Sequence, residues 1–172
     1  MLVVIKILKK IFAVLHSNAS PMQISWGVVF GAFLGLAPFL CLHKLAILLC
    51  VIFFNVNIGS AFLSVLIFSV VGMPIDSLSH KIGYFLLVES KSLNAFWTDL
   101  YNMPIIPFTR FYNTVVLGGF VVALIIAAPV YFASKKFVFF YRKNLAAKVE
   151  KWKIIKIFKL SNFYNMYSNY SG

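Results

Sequence analysis

The stretch GVVFGAFLGLAPFLCLHKLAILLCVIFFNVNIG, residues 27–59, is almost wholly apolar, yet glycines, a proline, a His-Lys pair and two asparagines cut it. A soluble domain could not bury so long an apolar run. A plain membrane span has no need of the interruptions. In lipid, a backbone N–H or C=O freed at a break finds no water, so protein must satisfy it. The chain therefore has to meet each interruption with another part of itself.

Composition points to the same solvent. The chain has 172 residues, of which 62% are hydrophobic and 12% charged. An ordinary soluble domain carries about 25% charged residues. With so little polar surface, the bilayer is the natural medium. The formal charge is +12, from 16 basic and 4 acidic residues. The basic residues flank apolar segments, a pattern of membrane orientation and anionic-lipid contact rather than nucleic-acid binding. Cys41 and Cys50 lie inside apolar runs without a CxxC spacing and read as inert thiols.

The predicted fold class is all-α: a polytopic helical membrane protein with short or re-entrant Gly/Pro-broken helices and basic amphipathic terminal helices. Residues 1–20 hold a basic interfacial helix over 2–16, with Lys6, Lys9 and Lys10 on one face. Residues 21–90 form the broken-helix unit. Ser20 and Pro21 start its first helix, over 21–36. Gly27, Gly31 and Gly35 line one face of that helix, as in the close packing of membrane helices. Pro38 ends it. A second helix covers 44–54, Asn55 and Asn57 interrupt, and a third runs over 58–71 to the GMP that contains Pro74. The second helix has about 11 residues, roughly 17 Å, against a hydrocarbon core of about 30 Å. It cannot cross alone. The first two helices either re-enter as a hairpin or cross as a pair by borrowing the segment between them.

Residues 77–90 read as an amphipathic surface helix, and 91–112 as an aromatic, proline-containing loop with Trp97 and Tyr101 at an interface. Residues 113–134 are the cleanest transmembrane helix, with Gly119, Ala123 and Ala127 as a small-residue stripe. Residues 135–172 read as a basic helix and tail. Lys135, Lys136, Arg142 and Lys143, with Lys6, Lys9 and Lys10, are expected to touch anionic lipid. The positive-inside rule puts both termini in the cytoplasm, hence two or four crossings of a bacterial cytoplasmic membrane. The charges of 74–112 balance, as suits a translocated loop.

Local signals for chemistry are absent. His16, His43 and His80 are scattered, only four carboxylates exist, and there is no HExxH, phosphate loop or GxSxG. This predicts no enzyme, no metal and no cofactor. His43 and Lys44 are either a proton-linked or anion-binding pair at depth, or an interfacial turn with Lys44 snorkelling. Asn55 and Asn57 either cap the following helix or line a polar path.

Residues 21–87 resemble the bacterial family called domain of unknown function 2062. Gly31, Gly35 and Pro38 match its first block, His43 its glutamine-or-histidine position, Asn57 its asparagine, Pro74 its proline and Gly83 its late glycine. Cys41, Met73 and Asn55 depart from the pattern, where glycine, asparagine and arginine are usual. The resemblance implies an integral membrane protein, in a subfamily with an added C-terminal transmembrane helix, and supplies no reaction.

Two functions are expected. One is a membrane-embedded subunit or anchor of a larger envelope or transport assembly, docking another membrane or envelope protein, or a second copy, through its small-residue faces. The other is a small carrier or lipid-translocating protein built on the broken helices. A dry glycine seam favours the first, and a polar cavity at the midplane the second. Membrane lipids are partners in both.

Overall fold

The computed structural model describes residues 2–37 and 41–146, and all regular structure among them is helical. The helices are α1 (Leu2–Leu15), α2 (Pro21–Leu36), α3 (Leu42–Phe53), α4 (Ile58–Tyr84), α5 (Asn94–Asn102) and α6 (Thr114–Phe140). Wide π-type turns, Phe85–Glu89 and Tyr141–Leu145, prolong α4 and α6. Tight turns at Lys91–Leu93 and Ile106–Thr109 flank α5.

Side-chain caps set three of the helix starts. The Gln23 N–H donates to Ser20 Oγ at 3.2 Å, and the Ser20 N–H donates to Gln23 Oε1 at 2.8 Å, with Pro21 in the first turn. Asn57 Oδ1 accepts from the Ser60 N–H at 2.8 Å to begin α4. Asn113 Oδ1 accepts from the N–H groups of Val115 and Val116 at 3.0 and 3.2 Å to begin α6. Each cap satisfies donors that a helix start leaves open.

α2, α4 and α6 pack against one another as the centre of the fold. Gly27 faces Ser60, Gly31 faces Ser64 and Gly35 faces Phe68, a constant offset that makes α2 and α4 parallel. α6 runs opposite to both. Gly83 of α4 lies on the backbone of Thr114, Gly118 on that of Ser79, and Gly119 under the carbonyl of Leu36. α3 carries the chain back, so that the Asn57 N–H reaches the Gln23 carbonyl at 3.3 Å, beside the start of α2. α2 is about 24 Å long and α4 with its final turn about 48 Å, at about 1.5 Å per residue. Leu36 ends beside Gly72, so the α2–α3 hairpin reaches only midway along α4.

The packing is too close for side chains at most of these glycines. A Cβ at Gly31 would stand 2.5 Å from the Ala61 carbonyl oxygen, at Gly27 2.8 Å from that of Asn57, and at Gly35 2.9 Å from that of Val65. A mid-helix glycine costs about 1 kcal/mol relative to alanine, which the packing of two backbones offsets. Buried hydroxyls in the seam bond to carbonyls. Ser64 Oγ donates across it to Val28 O at 2.6 Å, and Ser60 Oγ to Asn57 O at 2.7 Å. Both hydroxyls are thereby satisfied without water.

At one end Leu15, Ile24, Val138 and Tyr141 cluster, so α1 and the end of α6 meet at the start of α2. The other end holds the last turns of α4, α5 and the start of α6.

Two expectations are overturned. The helix predicted to stop at GMP continues through Pro74 to Tyr84, so residues 77–84 belong to α4 rather than to a separate surface helix. Proline removes one helical N–H and crowds the preceding turn. Gly72 packs against Leu36, and Ser79 and Gly83 against α6, so α4 is held on both sides of Pro74, which is itself exposed. Pro74 is therefore not a break. The 91–112 loop, in turn, contains α5 and two tight turns.

The glycines separate in a way that can be measured. Around a Cβ at Gly72 the nearest atom is 3.6 Å away, an ordinary contact. Gly72→Ala should leave the melting temperature of the purified protein unchanged or raise it, by up to about 1 kcal/mol in stability. Gly31→Ala should lower stability by about 2 kcal/mol, through overpacking against backbone. Equal responses at the two positions would show that Gly31 is not at a backbone contact.

Candidate functional site

The two interruptions between α2 and α4 concentrate the polar residues of an otherwise apolar region. At the first, α2 ends at Ala37 in extended backbone and α3 begins after Cys41. His43 and Lys44 are in the first turn of α3, and Lys44 Nζ donates to the Ala37 carbonyl across the gap. This satisfies an acceptor left open at the end of α2. His43 Nδ1 lies 3.1 Å from the Thr109 carbonyl. A carbonyl only accepts, so Nδ1 carries the proton and Nε2, 3.4 Å from Cys41 Sγ, is free to accept from the thiol. The His43 ring also stands edge-on to Phe120 of α6, with centroids 5.7 Å apart. One histidine thus ties the tip of the hairpin to the Ile106–Thr109 turn and to α6.

At the second interruption Asn55 is left-handed, with φ 51°, a conformation asparagine tolerates better than most residues. Asn57 spends its side-chain oxygen on the α4 cap. Asn55 is exposed and makes no cap.

Between α3, the first half of α4 and residues 105–112 lies a trough of about 1020 Å³. Its walls include Leu34, Leu45, Leu48, Val51, Phe62 and Val65. Lys44 and Arg110 line it at the tip end, where His43 and Thr109, their chain neighbours, are bonded to each other. Arg110 has φ 56°, the left-handed region that non-glycine residues seldom occupy.

Gly27, Gly31, Gly35, Gly119 and Ala123 are all buried within the chain's own bundle. They form internal seams, which leaves them unavailable as a surface for another protein. Gly83 and Gly118, whose backbones approach α6 and α4 closely, carry no packing role in the sequence reading. The adjacent glycines of VLGGF were the signal for Gly118. Arg110 and Thr109 gave no local signal, because what they meet lies on α3, 66 residues away in the case of Thr109 and His43.

Lys10, Lys135, Lys136 and Lys143 are exposed at the end where α1 and α6 meet. Arg142 has a different use from the lipid contact expected of it. Its Nε donates to the Leu15 carbonyl at 3.0 Å and its Nη2 to that of Ser17 at 2.8 Å. The guanidinium closes the end of α1, where carbonyls lack helical donors. Pro38, the side chains of Lys6 and Lys9, and residues 147–172 lie outside the described residues.

A family model described as "Uncharacterized protein conserved in bacteria (DUF2062)" matches residues 6–146. The chain belongs to this family. A family resemblance read from residues 21–87 therefore extends from α1 through α6, and the match lends no support to an added C-terminal helix. An uncharacterized protein of Treponema pallidum (strain Nichols) is 27% identical over 145 residues, covering 84% of this chain and 89% of that protein. No solved structure matches the chain.

The Arg142 cap has a direct consequence. Arg142→Ala should lower stability by about 2 kcal/mol, the range for hydrogen bonds from a charged donor. Arg142→Lys should recover only part, because an ammonium cannot fork to two carbonyls as guanidinium does. Melting of the purified variants tests this order; an alanine variant as stable as the parent would show that the Arg142 bonds do not hold the end of α1.

Proposed function

We propose that this is a non-enzymatic integral protein of the bacterial cytoplasmic membrane, a membrane-embedded subunit or anchor of a larger envelope assembly. The observation that carries the membrane reading is exposure. Ile58–Glu89 and Thr114–Leu145 are each 32 residues long and contain an 18-residue window of mean hydropathy 2.1 and 2.5, of which only 28% is buried in either case. The core helix of a soluble protein would be mostly buried. Here Phe62, Leu66, Ile67 and Val70 of α4, and Leu124, Ile125 and Phe132 of α6, face outward. Lipid is the solvent in which that surface is stable.

In this reading α4 and α6 cross, and α2–α3 is a re-entrant hairpin held by its seam with α4. The exposed lysines near α1 and the end of α6 lie at one end of the bundle, which supports cytoplasmic termini. The dry glycine seams favour a scaffold. Because they are internal, a partner would dock on the outward apolar faces of α4 and α6. A carrier that handles lipid is the second reading, favoured by the trough beside Lys44 and Arg110.

Carbonate-washed membranes should retain the protein. Reporter fusions after residue 146 should report a cytoplasmic C-terminus, and a tag inserted at Asn102, exposed at the end of α5, should be accessible from outside. Release by carbonate would refute the membrane reading; a C-terminus outside would refute the topology. Proteins co-purifying in mild detergent, and lost when the outward faces of α4 and α6 are altered, would identify the assembly; none in repeated native preparations would leave the carrier as the better reading.

A further inference from the structure

We propose that the trough between α3 and α4 binds one anionic phospholipid, its phosphate on Lys44 and Arg110 and one acyl chain along the apolar walls. The proposal rests on the membrane reading above.

The trough, at about 1020 Å³, has the volume of a small-molecule site, which runs to about 1,000 Å³. Leu45, Leu48, Ile58 and Phe62, which line it, are themselves exposed, so it opens sideways to the surroundings of the bundle. A lipid chain can enter laterally. A free anion would gain nothing from these walls.

The charge of the lining is one-sided. Lys44 and Arg110 are the charged residues lining the trough among the described residues, and both are cations. No carboxylate lines it. Each cation follows a residue of the bonded pair His43 and Thr109 at the hairpin tip, whereas Leu48, Val51 and Ala61 lie further along. A charged head at one end and an apolar channel beyond it match the chemistry of an anionic lipid. Lys44 is already turned by its bond to the Ala37 carbonyl and has further N–H donors to offer. Guanidinium suits the second phosphate contact because it presents its donors as a planar fork.

The two cations come from parts of the chain that His43 and Thr109 bond together, one residue before each. The left-handed backbone at Arg110, strained for a residue other than glycine, sits where the second cation meets the trough. Strained backbone tends to collect at binding sites.

The test uses the full chain in nanodiscs of equal parts phosphatidylglycerol and phosphatidylcholine, followed by native mass spectrometry of the released protein. The expected result is selective retention of one phosphatidylglycerol. Lys44→Ala/Arg110→Ala should reduce that retention at least about tenfold, a loss of about 1.4 kcal/mol. Leu48→Trp, which fills the trough and leaves both cations, should reduce it too. Lys135→Ala/Lys136→Ala should not. Arg110→Ala alone alters an exposed turn; with its melting unchanged in phosphatidylcholine, it should lose the stabilisation that phosphatidylglycerol gives the parent. Equal retention in all variants, equal retention of both lipids, loss only in the Lys135/Lys136 variant, or displacement of the lipid by millimolar inorganic phosphate would overturn the site. Insertion with no selective lipid overturns the site alone; failure to enter nanodiscs at all overturns the membrane reading with it.

Discussion

The close approach of backbones along α2 and α4 governs the rest of the fold. Three glycines of α2 lie on Ser60, Ser64 and Phe68 of α4, with carbonyl oxygens where side chains would otherwise begin. Dispersion between surfaces this close is additive over many atoms, and it needs no hydrophobic drive. It lets a helix of only 16 residues hold its place beside one twice its length. α6 then packs against both, through Gly118 on Ser79 and Gly119 under Leu36.

The hairpin tip follows from that placement. α2 stops midway along α4, and the open carbonyl at Ala37 must be met there. Lys44 supplies the donor, and His43 bonds the tip to the Thr109 carbonyl. The interruptions that made residues 27–59 unusual are therefore met by local capping and by one long-range tie. The same geometry leaves Lys44 and Arg110 beside an apolar trough.

What was legible in the sequence was local. Ser20 and Pro21 marked the start of α2, although Gln23, which completes that cap, was not read, and Asn57 caps α4 three residues on. The spacing of Gly27, Gly31 and Gly35 announced a packed face, though not its partner. What was hidden depends on distant chain. Pro74 reads as a stop because the proline rule is local, whereas the contacts that carry the helix past it, Gly72 with Leu36 and Gly83 with Thr114, come from distant parts of the chain. Arg142 looked like a lipid contact because its charge was visible and its acceptors, Leu15 and Ser17, were 127 and 125 residues away. The trough was illegible for the same reason: Arg110 joins Lys44 only after the loop folds back.

Spin labels at exposed positions test the parallel seam directly. Met22 lies in the first turn of α2, Ile58 in the first turn of α4 and Tyr84 in its last. Ile58 and Tyr84 are about 39 Å apart along the helix axis, at about 1.5 Å per residue. With native Cys41 and Cys50 replaced, a parallel α2–α4 seam requires the Met22–Ile58 distance to be shorter than the Met22–Tyr84 distance by tens of ångströms. Equal distances, or the reverse order, would contradict it.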